Sequence, residues 1–191
     1  MRDKAVKKSL ITFFSRMRGN GKSAPRHSLN WIFWSWLGSF LGIWSVATFN
    51  QFVTLSNIDN IFLIGSFGAS AVLIYGTPHV PYAQPRNLIG GHFLSALTGV
   101  AVFHYFNLPV ELQAAIAVSF SIVIMHLTRT IHPPGGASAL IAVIGSQNIH
   151  DLGFLYVITP VFTGTVIMIL VALLINNLRH DEERQYPKTW W

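Results

Sequence analysis

The chain alternates long apolar runs with short polar breaks. Trp31 opens an apolar stretch that lasts to about Val53, and Leu88–Phe106, Leu112–Thr128 and Phe154–Asn177 are apolar over comparable lengths. As a helix, about 22 residues at 1.5 Å rise give roughly 33 Å, enough to cross a bilayer. Two further runs are apolar but shorter. Ile61–Gly76 makes roughly 24 Å of helix, and a run starting at Ala137 ends near Gly145. The breaks are polar or proline-bearing: Ser56–Asn60, Thr77–Asn87, Asn107–Pro109, Arg129–Gly136 and Ser146–Gly153. This pattern predicts an all-α membrane protein of six apolar segments, with four full spans and two re-entrant hairpins as the second arrangement.

The break at Arg129-Thr130-Ile131-His132-Pro133-Pro134-Gly135-Gly136 concentrates the polar chemistry. Its prolines lack an N–H and hold the preceding residue out of the helical region, so a new helix starts after them. The sequence that follows has a counterpart. Gly68-Ala69-Ser70-Ala71 recurs identically as Gly136-Ala137-Ser138-Ala139, each time in a short segment between two long ones. The chain thus reads as two inverted three-segment repeats, about 31–106 and 112–177, the middle segment of each short and broken or re-entrant. Short, glycine-interrupted segments at matching positions of two halves point to a transport site. The same sequence also suits plain close packing of membrane helices.

Charge sharpens the picture. Only a tenth of the residues are charged, and eight of the thirteen Lys and Arg fall in the first 26 positions. Three regions follow: a basic cytoplasmic arm (1–30) with an amphipathic turn around Leu10–Met17, a transmembrane domain (31–177) and a cytoplasmic tail (178–191). With six crossings, Arg86, Arg129 and Arg179 share the side of the arm, as the positive-inside rule requires; Asp59, Glu111 and Asp151 fall opposite, a weaker support because acids contribute little to orientation. The expected setting is the inner (plasma) membrane of a bacterium with both termini cytoplasmic, an organelle inner membrane being the second reading. The basic excess suits anionic lipid headgroups rather than nucleic acid. The chain has no cysteine, which removes disulfide and thiolate chemistry. The small-residue faces leave homo-oligomerisation open.

Two Gly-Ala-Ser helix starts facing the midplane from opposite sides would bring backbone N–H groups, helix dipoles and hydroxyls to one place, a setting for an anion. The candidate binding residues are therefore Gly68, Ala69, Ser70, Gly136, Ala137, Ser138 and His132, with Arg129, Arg86, Asn87 and His92 as gating or mouth residues. No enzyme constellation accompanies them. There is no His-Glu-x-x-His, no Gly-x-Ser-x-Gly elbow and no Walker loop, and the reading needs neither metal nor cofactor.

Three blocks resemble the HPP family of small integral membrane proteins: Gly65–Ala71, Ala83–His92 and Leu127–Leu140 with its His132-Pro133-Pro134. With their spacing they cover about residues 30–177. Gly135 stands where family members often carry Ala. The resemblance implies a multi-span protein, described as having four membrane helices, and some relatives are associated with nitrite transport in chloroplasts and cyanobacteria. The expected function is a channel or passive carrier for a small inorganic anion, nitrite first. A proton-coupled anion transporter using His132 or His92 is one alternative, and a non-transporting membrane scaffold or sensor is another.

Overall fold

The computed structural model describes residues 12–17, 21–51, 57–179 and 181–191, and every regular element among them is helical. In order these are α1 (Leu29–Asn50), α2 (Asn57–Ala71, prolonged by a π-helical turn over Val72–Gly76) and a 3-10 turn at Pro81–Ala83. Then come α3 (Pro85–Tyr105), α4 (Val110–Thr128), α5 (Gly135–Ile144), α6 (Gln147–Leu152) and α7 (Thr163–Asn177), the last entered through Val157–Phe162, a kinked segment in which Thr159 is extended (φ −133°, ψ 117°) before Pro160. Four stretches are long and apolar enough to cross a membrane: Leu29–Asn50, Pro85–Tyr105, Val110–Thr128 and Val157–Asn177. In the basic arm, a single helical turn begins at Thr12 and leaves Phe13, Phe14 and Met17 exposed; the rest of the expected amphipathic turn lies outside the described residues.

The two middle segments are not alike. α5 is short, as expected, but the apolar stretch Gly65–Gly76 is the second part of a helix that already runs from Asn57. Residues 57–60, expected as a polar turn, are therefore helical, and residues 52–56 lie outside the described set. The reason is local. Nothing from Asn57 to Ala71 lacks an N–H, whereas Pro133 and Pro134 stand directly before α5. The Gly-Ala-Ser repeat thus falls inside a helix in one copy and at a helix start in the other.

Contacts fix which helix ends lie together. At one end, Trp31 Nε1 donates to Gly76 O (3.1 Å) and Arg86 Nη2 to Thr128 O (2.8 Å), so the starts of α1 and α3 sit with the ends of α2 and α4. At the other, Gln113 donates to Phe106 O (2.6 Å), His150 to Val143 O (3.2 Å), and the His150 ring stacks on Phe103. Arg86 and Arg129 belong to the first end, Glu111 and Asp151 to the second.

α3 is the central helix, and its most extensive packing is against the short α5. The two backbones touch. A β-carbon at Gly99 would lie 2.3 Å from Ala139 O, and one at Gly135 would lie 2.6 Å from Gly91 O. On the other flank, α1 closes on α2 through Gly38 and Gly42, which lie against the Tyr75 ring. Tyr75 donates to Met168 O on α7 (3.0 Å). Buried clusters fill the spaces between, one around Phe67, Ile74 and Met168, another around Leu63, Ala96 and Val161. Outward-facing Trp36, Phe40, Trp44, Phe120 and Leu174 present an apolar wall, as lipid-facing surfaces do.

The segment after α7 is docked rather than free. Arg184, wholly buried, donates to Tyr75 O (3.0 Å), Asn176 Oδ1 (2.9 Å), Ser35 Oγ (3.0 Å) and Trp31 O (3.3 Å), with its guanidinium 4.8 Å from the Trp31 ring centre. Burial pulls its pKa down to about 10, helped by Arg179 and opposed by Asp181, so it stays charged at neutral pH. Tyr186 OH donates to Ala83 O (2.8 Å), and Gln84 Oε1 accepts the Lys188 N–H (2.8 Å).

The backbone contact of α3 with α5 yields a first prediction. Gly99→Ala should cost about 1–3 kcal/mol because backbone, not a flexible side chain, occupies the space. A β-carbon at Gly65 meets nothing within 4 Å, so Gly65→Ala should be neutral or slightly stabilising. Thermal unfolding in detergent measures both, and equal midpoints would show that the helices can separate freely.

Candidate functional site

Polar side chains from three helices meet in the interior where α2, α3 and α5 converge. Ser66 and Ser70 are one turn apart on α2 and share a face. His92 lies about 10 Å along α3 from its start. Ser138 is in the first turn of α5, and His132 is on the non-helical link before it. All five are buried to within 2 %.

The link is held in place by named contacts. α4 ends at Arg129, whose backbone is left-handed (φ 57°). Thr130 N–H returns to Met125 O (2.9 Å) and Arg129 N–H to His126 O (3.2 Å), the paired bonds of a Schellman stop. Arg86 covers Thr128 O, and Asn87 Nδ2 donates to Ile131 O (2.8 Å). Gly90 and Gly91 then let Thr130 and His132 lie against α3; a β-carbon at Gly91 would come within 2.5 Å of His132 Cβ.

The result is a chain of hydrogen bonds. His132 Nδ1 meets Tyr82 O (2.7 Å), and His132 Nε2 meets Ser70 Oγ (2.8 Å). Ser70 Oγ also meets His92 Nε2 (2.7 Å), and His92 Nδ1 meets Ser138 Oγ (2.7 Å). Ser138 Oγ meets Ser66 Oγ (3.2 Å), which donates to Pro134 O (3.0 Å). A carbonyl only accepts, so His132 carries its hydrogen on Nδ1. Tyr156 OH donates to Ser138 O (3.0 Å) and steadies the start of α5. Ser95, one turn beyond His92 and fully buried, has an Oγ with no hydrogen-bond partner.

The expected pair of free helix starts is corrected by this geometry. Gly68-Ala69-Ser70 lies inside α2, where the backbone N–H groups serve the helix. At α5, Gly135, Gly136 and Ala137 N–H bond to His132 O, Pro133 O and Pro134 O at 2.8, 3.1 and 3.1 Å. The proline-bearing turn supplies those acceptors itself. What converges is side chains: Ser70, Ser138, His132 and His92 meet. Ala69 is exposed, Gly68 is half-buried with open space beside it, and Gly136 and Ala137 are half-buried, Gly136 towards Val118 on α4. Arg129 is exposed, while Arg86 and Asn87 hold the link rather than reaching the cluster.

The sequence reading missed Ser66, the Tyr82 carbonyl, Tyr156 and Ser95. Only Ser66 carried a signal, its spacing of four from Ser70 in one helix. Among the described residues no three His, Cys, Asp or Glu are placed to hold a metal.

Fold and cluster together define a helical, membrane-spanning protein with a carboxylate-free Ser–His chain at its centre. The family model for HPP, transmembrane region, matches residues 24–187, and the chain belongs to that family. Two similar proteins from Dictyostelium discoideum are named as transmembrane proteins. One is 45% identical over 190 residues, 98% of this chain and 60% of the relative. The other is 44% identical over 191 residues, 97% of this chain and 66% of the relative. The chain therefore spans about two thirds or less of the length of these relatives. No solved structure matches it.

The Tyr82 contact can be tested by substitution. His132→Ala should cost about 1–3 kcal/mol by leaving buried acceptors unmet. His132→Asn, whose amide can still donate towards Tyr82 O, should recover part of the loss in thermal unfolding. Equal losses in the two variants would remove that contact from the account.

Proposed function

We propose that the protein passes a small inorganic anion, nitrite first, across the membrane at the Ser–His chain between α2, α3 and α5. The observation that carries the reading is the chemistry of the buried cluster. Three hydroxyls and two imidazoles meet there, all able to donate, and no carboxylate is among them. Donor-rich, acid-free surroundings favour an anion over a cation. The association of some HPP relatives with nitrite supports the choice of substrate. Ser70, Ser138 and His132 would contact the anion directly, with His92 between them.

We take the six apolar segments to cross in turn, a path that fits the same reading. The helix ends that carry Arg86 and Arg129 lie with the start of α1, and we place that end, with both termini, on the cytoplasmic side. There the basic arm would lie against anionic lipid. A bacterial plasma membrane remains our placement; the relatives reported above come from a eukaryote. One observation favours a coupled transporter as the second reading: two imidazoles sit 4.9 Å apart, joined through Ser70.

Proteoliposomes containing the purified protein should take up nitrite. His132→Ala or Ser138→Ala should lower the rate by about tenfold, the worth of one charge-assisted hydrogen bond. Wild-type uptake unchanged by either substitution would sink the site, and no uptake of any small anion by folded protein would sink the transport reading in favour of a scaffold or sensor.

A further inference from the structure

We propose that residues 181–189 form a strap that holds the anion path shut, and that its outer part swings off the Pro81–Ala83 turn before the cluster takes its anion. The inference rests on the anion reading and adds its regulation. It starts from the state of the cluster. The five short contacts, at 2.7, 2.8, 2.7, 2.7 and 3.0 Å, use one hydrogen from each of five groups. His132 Nδ1–H goes to Tyr82 O, Ser70 O–H to His132 Nε2 and His92 Nε2–H to Ser70. Ser138 O–H goes to His92 Nδ1 and Ser66 O–H to Pro134 O, while the 3.2 Å approach of Ser138 to Ser66 carries none. No member of the cluster has a hydrogen left to donate, and all five are buried to within 2 %. This is a closed form. An anion enters it only when a wall moves and a hydrogen is released.

Displacing Tyr82 O does both at once. The other walls are fastened backbone to backbone. A β-carbon at Gly91 would come 2.5 Å from His132 Cβ, and one at Gly99 would come 2.3 Å from Ala139 O. The turn that carries Tyr82 is held differently. The Tyr82 side chain is exposed, and the bonds that cover the turn come from the strap. Tyr186 OH donates to Ala83 O (2.8 Å), and the Lys188 and Thr189 N–H groups donate to Gln84 Oε1 (2.8 and 3.2 Å). Such bonds exchange for water at small net cost, whereas parting close-packed backbones opens a cavity. The turn is the wall that yields.

The strap is fixed at its root and free to leave at its outer part. The root is Arg184, bound to Trp31 O, Ser35 Oγ, Tyr75 O and Asn176 Oδ1, so it stays with α1, α2 and α7. From Tyr186 the chain reaches across to the turn, and beyond it Trp190 and Trp191 are exposed. Indole side chains favour the membrane interface, which gives the released strap a surface to settle on. An anion held by the freed His132 N–H keeps Tyr82 O from returning. Anion binding and strap release therefore promote each other.

Two measurements test the strap, one of them independent of transport. The chain has no cysteine, so Ala83→Cys places a single buried thiol beside Tyr186. In detergent, its labelling by a maleimide follows the population of the undocked form. Tyr186→Phe, which deletes one hydrogen bond and keeps the ring, should speed labelling about fivefold. Lys188→Pro, which deletes an N–H held by Gln84, should act in the same direction, as should nitrite added to the chain with Tyr186 intact. In proteoliposomes Tyr186→Phe should raise the initial rate of nitrite uptake by about the same factor while its thermal midpoint falls. A contact that only stabilises the fold would lower the midpoint without raising the rate. Labelling unchanged by both substitutions, or by nitrite, would overturn the strap. Faster labelling with uptake at or below the wild-type rate would overturn the inhibition and leave the anion reading standing. Absence of uptake in every variant would overturn the anion reading and the inhibition with it.

Discussion

A buried imidazole bound on both ring nitrogens has to be met by several chain segments at once, and the rest of this structure follows from meeting that demand. His92 needs Ser70 from α2 and Ser138 from α5. α3 can present it to both only because α5 lies backbone to backbone against it, at Gly91, Gly99 and Gly135. Each hydrogen bond contributes about 1 kcal/mol net, whereas a buried group left unmet costs about 1–3 kcal/mol. The cluster therefore acts less by adding stability than by penalising every arrangement that breaks it. In an apolar surround, where other contacts are interchangeable, that penalty selects one register of α2 against α3 and α5.

The sequence made much of this legible, for identifiable reasons. Apolar length revealed the spans, because a bilayer imposes a length that soluble helices need not keep. The proline pair revealed the break before α5, because a missing N–H acts locally. The Gly-Ala-Ser repeat led the reading astray at α2. Identical tetrapeptides imply identical surroundings only if the flanks match, and no proline precedes Gly68 as Pro134 precedes Gly135. His92 was read as a mouth residue because linear spacing could place it in a span but could not say which residues it would meet.

The tail was the least legible part. As sequence, residues 181–189 are a charged, proline-bearing stretch; in the fold they close one end of the bundle. Arg184 supplies the reason. Its guanidinium lies where α2 and α7 end, at Tyr75 O and Asn176, the partially negative ends of two helices. A cation there needs no carboxylate, because the helix ends and the Trp31 face supply its partners. No periodicity announces an arrangement made of two backbone carbonyls, an amide oxygen and a hydroxyl.

Tail and cluster share one element. In the turn Pro81–Ala83, Tyr82 O faces inward to His132 while Ala83 O is held by the Tyr186 phenol. Gln84, the next residue, donates back to Pro78 O and Val80 O and accepts from the Lys188 and Thr189 N–H groups. The acceptor that keeps a hydrogen on His132 Nδ1 is therefore positioned by the docked tail. Moving the tail would shift Tyr82 O, and with it the acceptor that fixes the hydrogen of His132 at one end of the Ser–His chain. No carboxylate is among the groups these hydrogen bonds join, and it is a backbone carbonyl, braced from outside the bundle, that orients the N–H of His132.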